Sequence, residues 1–378
     1  MDKKILHNTL FKSKNYSKNL NVLFEDYDLI RSKKYSNASL QIIQKLYPNS
    51  DLFLTHSATG ALEMIAILLN IKPGDEIILP SFTYVSTIVP FVSRGAKPIF
   101  VDIDPISLNI DETLIEKHIN NNTKAIIGMH YGGHSCNNKA IKNLCKKHKL
   151  YYIEDAAMAY GLSSGKKKLG SFGDFAVVSF DVTKHISAIQ GGLLIINNNK
   201  FTQRAENIYH IGTNRTAFME AKKPYFEWVD IGSKFQMTET NAAILVEQLT
   251  FSKEIIDTRI QISKYYYKAL KELENGGFIK LIPEKNLSQN AHLFYLILKN
   301  KKQRDLLLQK LKQQKIEAFF HYIPLHTSKM GKKVGIFESR NDYTSDISNR
   351  LIRLPLHTNL ETKELDYIIK SIINFFKF

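Results

Sequence analysis

Over its first 250 residues the chain alternates two textures: short runs rich in Val, Ile and Phe, and stretches where apolar positions return at helical spacing. Residues 51–55 (DLFLT) read as a strand, and 57–69 follow as a helix carrying Leu62, Ile65, Ala66 and Leu69 on one face. Further strands are expected at 76–79, 98–101, 125–130, 151–154, 175–180 and 192–196. Strands alternating with helices over this length predict a doubly wound, mostly parallel sheet covered on both faces. The last two strands lie closer together and can form a hairpin around Lys184.

Beyond about residue 250 the pattern changes. Strands at 278–282 and 292–298 and a helix at 303–314 precede a closing helix at 362–376. That helix carries Leu365, Ile368, Ile369, Ile372 and Phe376 on one stripe. The reading is a large domain over 1–250 and a smaller C-terminal α+β domain over 251–378. The second domain is expected to begin within or after a long helix near 240–274. No repeat or Pro-rich linker is visible, so close packing of the two is expected.

Composition narrows the setting. With 44% hydrophobic and 23% charged residues the chain is ordinary globular protein, neither collagenous nor disordered. No apolar run approaches the roughly 20 residues that a bilayer span needs. Residues 1–20 are basic but have no apolar signal core. Two cysteines, Cys136 and Cys145, cannot staple a chain this long, so a cytoplasmic setting is expected. The excess of 52 Lys+Arg over 36 Asp+Glu admits nucleic acid, anionic membrane or a phosphorylated ligand as partner. Most of it is lysine scattered in clusters such as Lys166–Lys167–Lys168, with no basic helix carrying interleaved aromatics. A solvated surface is the main reading, with no nucleic acid and no membrane among the expected partners.

The chemistry concentrates in 151–197. YYIED ends a strand on Glu154–Asp155, and the carboxyl end of a parallel strand is where open α/β sheets bind ligands. Twenty-nine residues after Asp155, SFDVTK puts Lys184 just past another strand end. Alone it reads as a turn lysine. Paired with Asp155 it can serve a pyridine cofactor, the carboxylate keeping the ring nitrogen protonated and the amine forming a Schiff base. HSATGALEM supplies a strand-to-helix turn whose N–H groups at Thr59 and Gly60 can face a phosphate, although a plain N-cap reads the same way. Tyr84, in LPSFTYVST, can cover a flat heterocycle or serve as core.

Other chemistries are less well supplied. Neither dinucleotide nor P-loop glycine signatures occur. His130, His134, Cys136 and Cys145 have no common zinc spacing, so no metal is expected. In HYIPLH, Pro324 keeps His321 and His326 off one helix face and suggests loop residues near a substrate.

Taken together, these motifs resemble the DegT/DnrJ/EryC1/StrS family of sugar-nucleotide aminotransferases, from about Asp51 to the C-terminus. KPGDEIILPSFTYVSTIVPFVSRGAKPIFVDIDPISLNID carries the resemblance, as does IEDAA followed by GSFGDFAVVSF and the lysine. GTNRTAF, NAHLFY, FHYIPLH and RLPLHTNL are similar to one branch, the dTDP-4-amino-4,6-dideoxygalactose transaminases of surface-polysaccharide (O-antigen) synthesis.

The resemblance implies a type I, aspartate aminotransferase-like fold and a homodimer with shared active sites. It implies pyridoxal 5′-phosphate as cofactor, passing through pyridoxamine phosphate, and L-glutamate donating nitrogen to a dTDP-4-keto-6-deoxyhexose. A galacto product is favoured; a gluco product, C3 amination or a dehydratase on the same fold are the alternatives. By position, Lys184 matches the Schiff-base lysine and Asp155 the partner of the ring nitrogen. Tyr84 matches the stacking aromatic, and Ser179 with Ala58–Thr59 the phosphate ligands. Lys234 falls where a neighbouring subunit often contributes a phosphate-binding Asn. His321, Tyr322 and His326 are expected at the substrate. The chain departs from the family pattern at Met158, Asp181, Ile189–Gln190 and in RSKKYSN near 32–38.

Overall fold

The computed structural model describes residues 3–289 and 291–377. Asn290, the first residue of NAHLFY, lies outside them. The chain forms strands β1 (Asp51–Thr55), β2 (Glu76–Pro80), β3 (Lys97–Val101), β4 (Thr123–Met129) and β5 (Tyr151–Asp155). A two-residue hairpin, β6 (Ser163–Ser164) and β7 (Lys167–Lys168), precedes β8 (Phe175–Ser179) and β9 (Gly192–Ile196). The remainder are β10 (Ile279–Leu281), β11 (Phe294–Leu298), β12 (Ile336–Phe337) and β13 (Leu351–Leu354).

The large sheet has the order β1-β9-β8-β5-β4-β2-β3-β12. Only β9 runs against its neighbours β1 and β8, so the expected hairpin around Lys184 is present. The expected parallel core is there for a plain reason. Every residue of β2, β8 and β9 is buried, and a strand covered on both faces has no use for polar alternation. Apolar clusters built on Ala61–Leu69 and on Ala156–Ile195 with Ala242–Leu249 fill the space against the sheet.

The long helix expected near 240–274 is two helices, Glu239–Thr250 and Ser252–Asn275. They break at Phe251, whose backbone (φ −99°, ψ 13°) leaves the helical region while its ring packs on Phe11 at 5.4 Å between centroids. The C-terminal sheet is antiparallel, in the order β10-β11-β13. The helix Thr362–Phe376 buries Leu365, Ile368, Ile369 and Ile372 into the same cluster, with Phe376 partly covered, and a Glu361–Glu364 capping box starts it.

Among the connections that bind this region to the rest, two matter for the site. β12 joins the edge of the large sheet beside β3. Residues 5–10 run as a strap over the C-terminal region. Ile5 bonds to Lys315 and Glu317, Leu356 N–H donates to His7 O (3.1 Å), and the Asn359 amide donates to Thr9 and Leu10. The strap also reaches the lysine loop, where Asn8 Nδ2 donates to Val182 O at 3.0 Å.

Candidate active site

Strand register brings the site together. Thr55 at the end of β1, Gly192 at the start of β9 and Ser179 at the end of β8 stand side by side, while Asp155 ends β5 next to Val177. Ser57 caps the helix Ala58–Leu68, accepting from Gly60 N–H at 3.0 Å. The first N–H groups of this helix, at Ala58 and Thr59, have no intrahelical acceptor and present the positive end of its dipole. The helix start lies so near β9 that a Cβ on residue 192 would stand 2.3 Å from Ala58 N, which makes glycine a requirement there.

Asp155 is buried and fully engaged. Its Oδ2 accepts from Thr87 Oγ1 at 2.7 Å and its Oδ1 from Ala157 N–H at 3.1 Å. The Thr83 hydroxyl lies 2.8 Å from that of Thr87, so a two-hydroxyl chain orients the carboxylate. Lys184 follows a turn in which Asp181 Oδ1 accepts from the Thr183 N–H and hydroxyl. Burial lowers the pKa of the Lys184 ammonium, Asp155 and Asp181 work against that, and Arg353 adds to it. The net shift is downward, toward an amine that can move protons.

These groups line a cavity of about 720 Å³. Of the expected residues, Ala58, Thr59, Tyr84, Asp155, Ser179, Lys184, His321 and Tyr322 line it. Tyr84 is 60% exposed, so its ring is free to cover a ligand. His321 stacks on Tyr322 at 3.5 Å between centroids, and its Nδ1 lies 3.2 Å from Tyr131 Oη. Burial and then Arg353 hold the His321 pKa well below the ordinary imidazole value, so the ring is neutral at pH 7. Burial raises the Tyr322 phenol.

Two expected residues lie outside the cavity lining. The His326 Nδ1 is 2.7 Å from Ser81 Oγ, and its ring stacks on Phe337 at 3.7 Å. Here the chain turns after Pro324 and Leu325 N–H bonds to Ser81 O, which carries His326 away from His321. Lys234 is exposed, and its backbone pairs with His210.

Sequence reasoning passed over Thr87, Arg259, His292 and Arg353, all on the cavity wall. Thr87 stood inside a quoted motif, and Arg353 is a lone charge within an apolar strand, which is a legible anomaly. The departures are also placed. Met158 accepts from Gly132 N–H through Sδ at 3.3 Å, and Gln190 reaches the cavity while its carbonyl accepts from Asn241. His130, from the discounted metal grouping, is buried with Nε2 2.9 Å from Glu154 Oε2.

A profile of the DegT/DnrJ/EryC1/StrS aminotransferase family matches residues 49–373, and the chain belongs to that family. It is thus an aminotransferase of the kind that works with pyridoxal phosphate. Among curated relatives, the dTDP-4-dehydro-2,3,6-trideoxy-D-glucose 4-aminotransferase of Saccharopolyspora spinosa is 30% identical over 325 residues, covering 84% of this chain and 82% of that protein. Among solved structures, Helicobacter pylori PseC, an aminotransferase of pseudoaminic acid biosynthesis, superposes with a TM-score of 0.87 at 24% identity, covering 99% and 100% of the two chains. A Streptococcus pneumoniae putative sugar aminotransferase, solved in its PMP form, gives 0.86 at 22% identity over 99% of this chain and 98% of that one. At these identities the structures speak for the fold alone.

Proposed function

We propose that the protein transfers the amino group of L-glutamate to a dTDP-4-keto-6-deoxyhexose, giving a dTDP-4-amino-4,6-dideoxyhexose of galacto configuration for surface polysaccharide. The observation that carries the reading is the meeting of Lys184 and Asp155 in one cavity that is also lined by Ala58 and Thr59, the first residues of a helix. The curated 4-aminotransferase relative supports amination at C4.

The residues present fit pyridoxal phosphate. Ala58 and Thr59 N–H groups with the Ser179 hydroxyl would hold its phosphate. Asp155, fixed from two sides, would keep its ring nitrogen protonated, and Tyr84 would cover its face. When bound, the cofactor supplies the electron sink for the 1,3-proton shift. Lys184 does the proton work: its depressed pKa leaves Nζ able to accept a proton from one carbon and return it to another. His321 and Tyr322, buried as neutral groups, close the opposite wall without competing for that proton.

We also infer a homodimer. Met219, Tyr225, Phe226 and Trp228 leave large apolar surfaces exposed on one stretch of chain, Trp228 at 79%. Such a cluster fits a second copy. Light scattering reads this directly, and a monomer at working concentration would sink it.

The test of function has two parts. Borohydride reduction of cofactor-loaded protein followed by peptide mapping should put a pyridoxyl group on Lys184. Incubation with L-glutamate and the keto sugar should yield 2-oxoglutarate and an amino sugar whose configuration NMR assigns. Lys184→Ala should fold and show no turnover; full activity in that variant would refute the assignment.

A further inference from the structure

We propose that Arg353 is the group that holds the carboxylate of the amino donor, an inference that rests on the aminotransferase reading above. Arg353 sits within β13 between the fully buried Ile352 and Leu354, and its backbone N–H is committed to Phe319 O at 2.7 Å. The side chain forms part of the cavity wall. There the guanidinium is underbonded. Among the described residues its one hydrogen bond runs from Nη2 to Phe320 O at 3.5 Å, the weak limit for such a contact. Nε is sealed from solvent and has no partner among the described residues. No carboxylate pairs with it among the described residues, and Lys184, His321 and His292 add positive or neutral company.

Arg259, on the same wall, shows what a structural arginine looks like in this protein. Its Nε donates to Ala291 O (2.5 Å), Nη1 to Asn8 Oδ1 (3.0 Å) and Nη2 to His292 O (2.9 Å). One guanidinium is tied down on every side and the other is left open toward the cavity. An unpaired cation out of water is costly, whereas a carboxylate meets a guanidinium with two parallel N–H···O bonds.

The position selects the donor over the sugar nucleotide. The charge on Arg353 is felt at the Lys184 amine. In an amino acid the carboxylate is two bonds from the reacting amine, so a cation near that lysine is within its reach. The diphosphate of a nucleotide sugar lies a whole hexose ring away from the carbon that reacts at C4.

The experiment compares cofactor-loaded wild type with Arg353→Met and Arg353→Lys. Calorimetry gives the dissociation constant of glutarate, an unreactive dicarboxylate, and steady-state kinetics give KM for each substrate. For Arg353→Met the expected result is a rise of about 10- to 100-fold in the glutarate Kd and in the KM for L-glutamate, the loss of a charge-assisted pair. The KM for the keto sugar should stay unchanged, and Tm should not fall, because the substitution breaks no ion pair and only one weak hydrogen bond among the described residues. Arg353→Lys keeps the charge without the fork and should fall between the two. Wild-type glutarate affinity in Arg353→Met overturns the inference. So does a rise confined to the keto-sugar KM, which would hand the guanidinium to the nucleotide sugar. If wild type binds glutarate through Arg353 yet aminates no keto sugar, the carboxylate site stands and the proposed function falls.

Discussion

The two walls of the cavity are built on opposite terms. On the large-sheet side the carboxylates and the helix cap have their partners: Asp155 accepts from Thr87 and Ala157, Ser57 from Gly60, and Asp181 from Thr183. On the C-terminal side, Arg353 Nε, His292 Nδ1 and His7 Nδ1 are sealed from solvent without a partner among the described residues. Burial pushes the His292 pKa well below its ordinary value and that of His7 to about 3, so both rings are neutral at pH 7. A saturated wall suits a ligand that stays, since its geometry must be fixed before the ligand arrives. An unsaturated wall suits ligands that come and go, which complete bonds that the free protein lacks.

This contrast can be broken at several points. The largest effect is expected at Asp155→Ala, where kcat should drop by at least about 100-fold. A near-normal kcat would mean that the saturated wall does not govern the chemistry. Next is Gly192→Ala. Its Cβ must force the helix start away from β9, which should cost about 1–3 kcal/mol of stability and weaken cofactor retention together. Chemical denaturation and a cofactor titration would check both, and loss of one without the other would uncouple the cradle from the fold.

The smallest effect is a shift in pH dependence. Asp181 favours the charged form of Lys184, so Asp181→Asn should lower the lysine pKa further and move the acid limb of the rate profile to lower pH. Arg353 favours the neutral form, and Arg353→Met should move the same limb upward. Shifts in the same direction would show that the lysine does not sense the two walls as opposites.

Much of the saturated wall was legible in the sequence. Buried parallel strands write themselves as unbroken apolar runs, and their carboxyl ends announce Asp155 and Lys184. Thr87 was not legible as the orienting hydroxyl, because its bond to Asp155 spans 68 positions and depends on β2 and β5 lying on either side of β4. The underbonded wall was harder. HYIPLH offers two histidines of equal appeal, and only the folded turn after Pro324 separates His321 in the cavity from His326 on Ser81. The helix break at Phe251 leaves no breaker residue to read: its ring packs on Phe11, 240 positions earlier, a contact that only the folded chain makes.

That strap sets the timetable of assembly. His7 N–H bonds to Glu317, 310 positions away, and Asn8 then touches both the lysine loop and Arg259. A ribosome adding about 5–20 residues per second delivers Glu317 roughly 15–60 seconds after residues 5–10 emerge. Until then the cavity lacks the wall that carries Arg353, His321 and Tyr322. Closure between sequence-distant segments is a slow kind of contact to make. The cavity is therefore complete only after β13 has been made, and a nascent chain stalled short of it would lack the wall that carries Arg353.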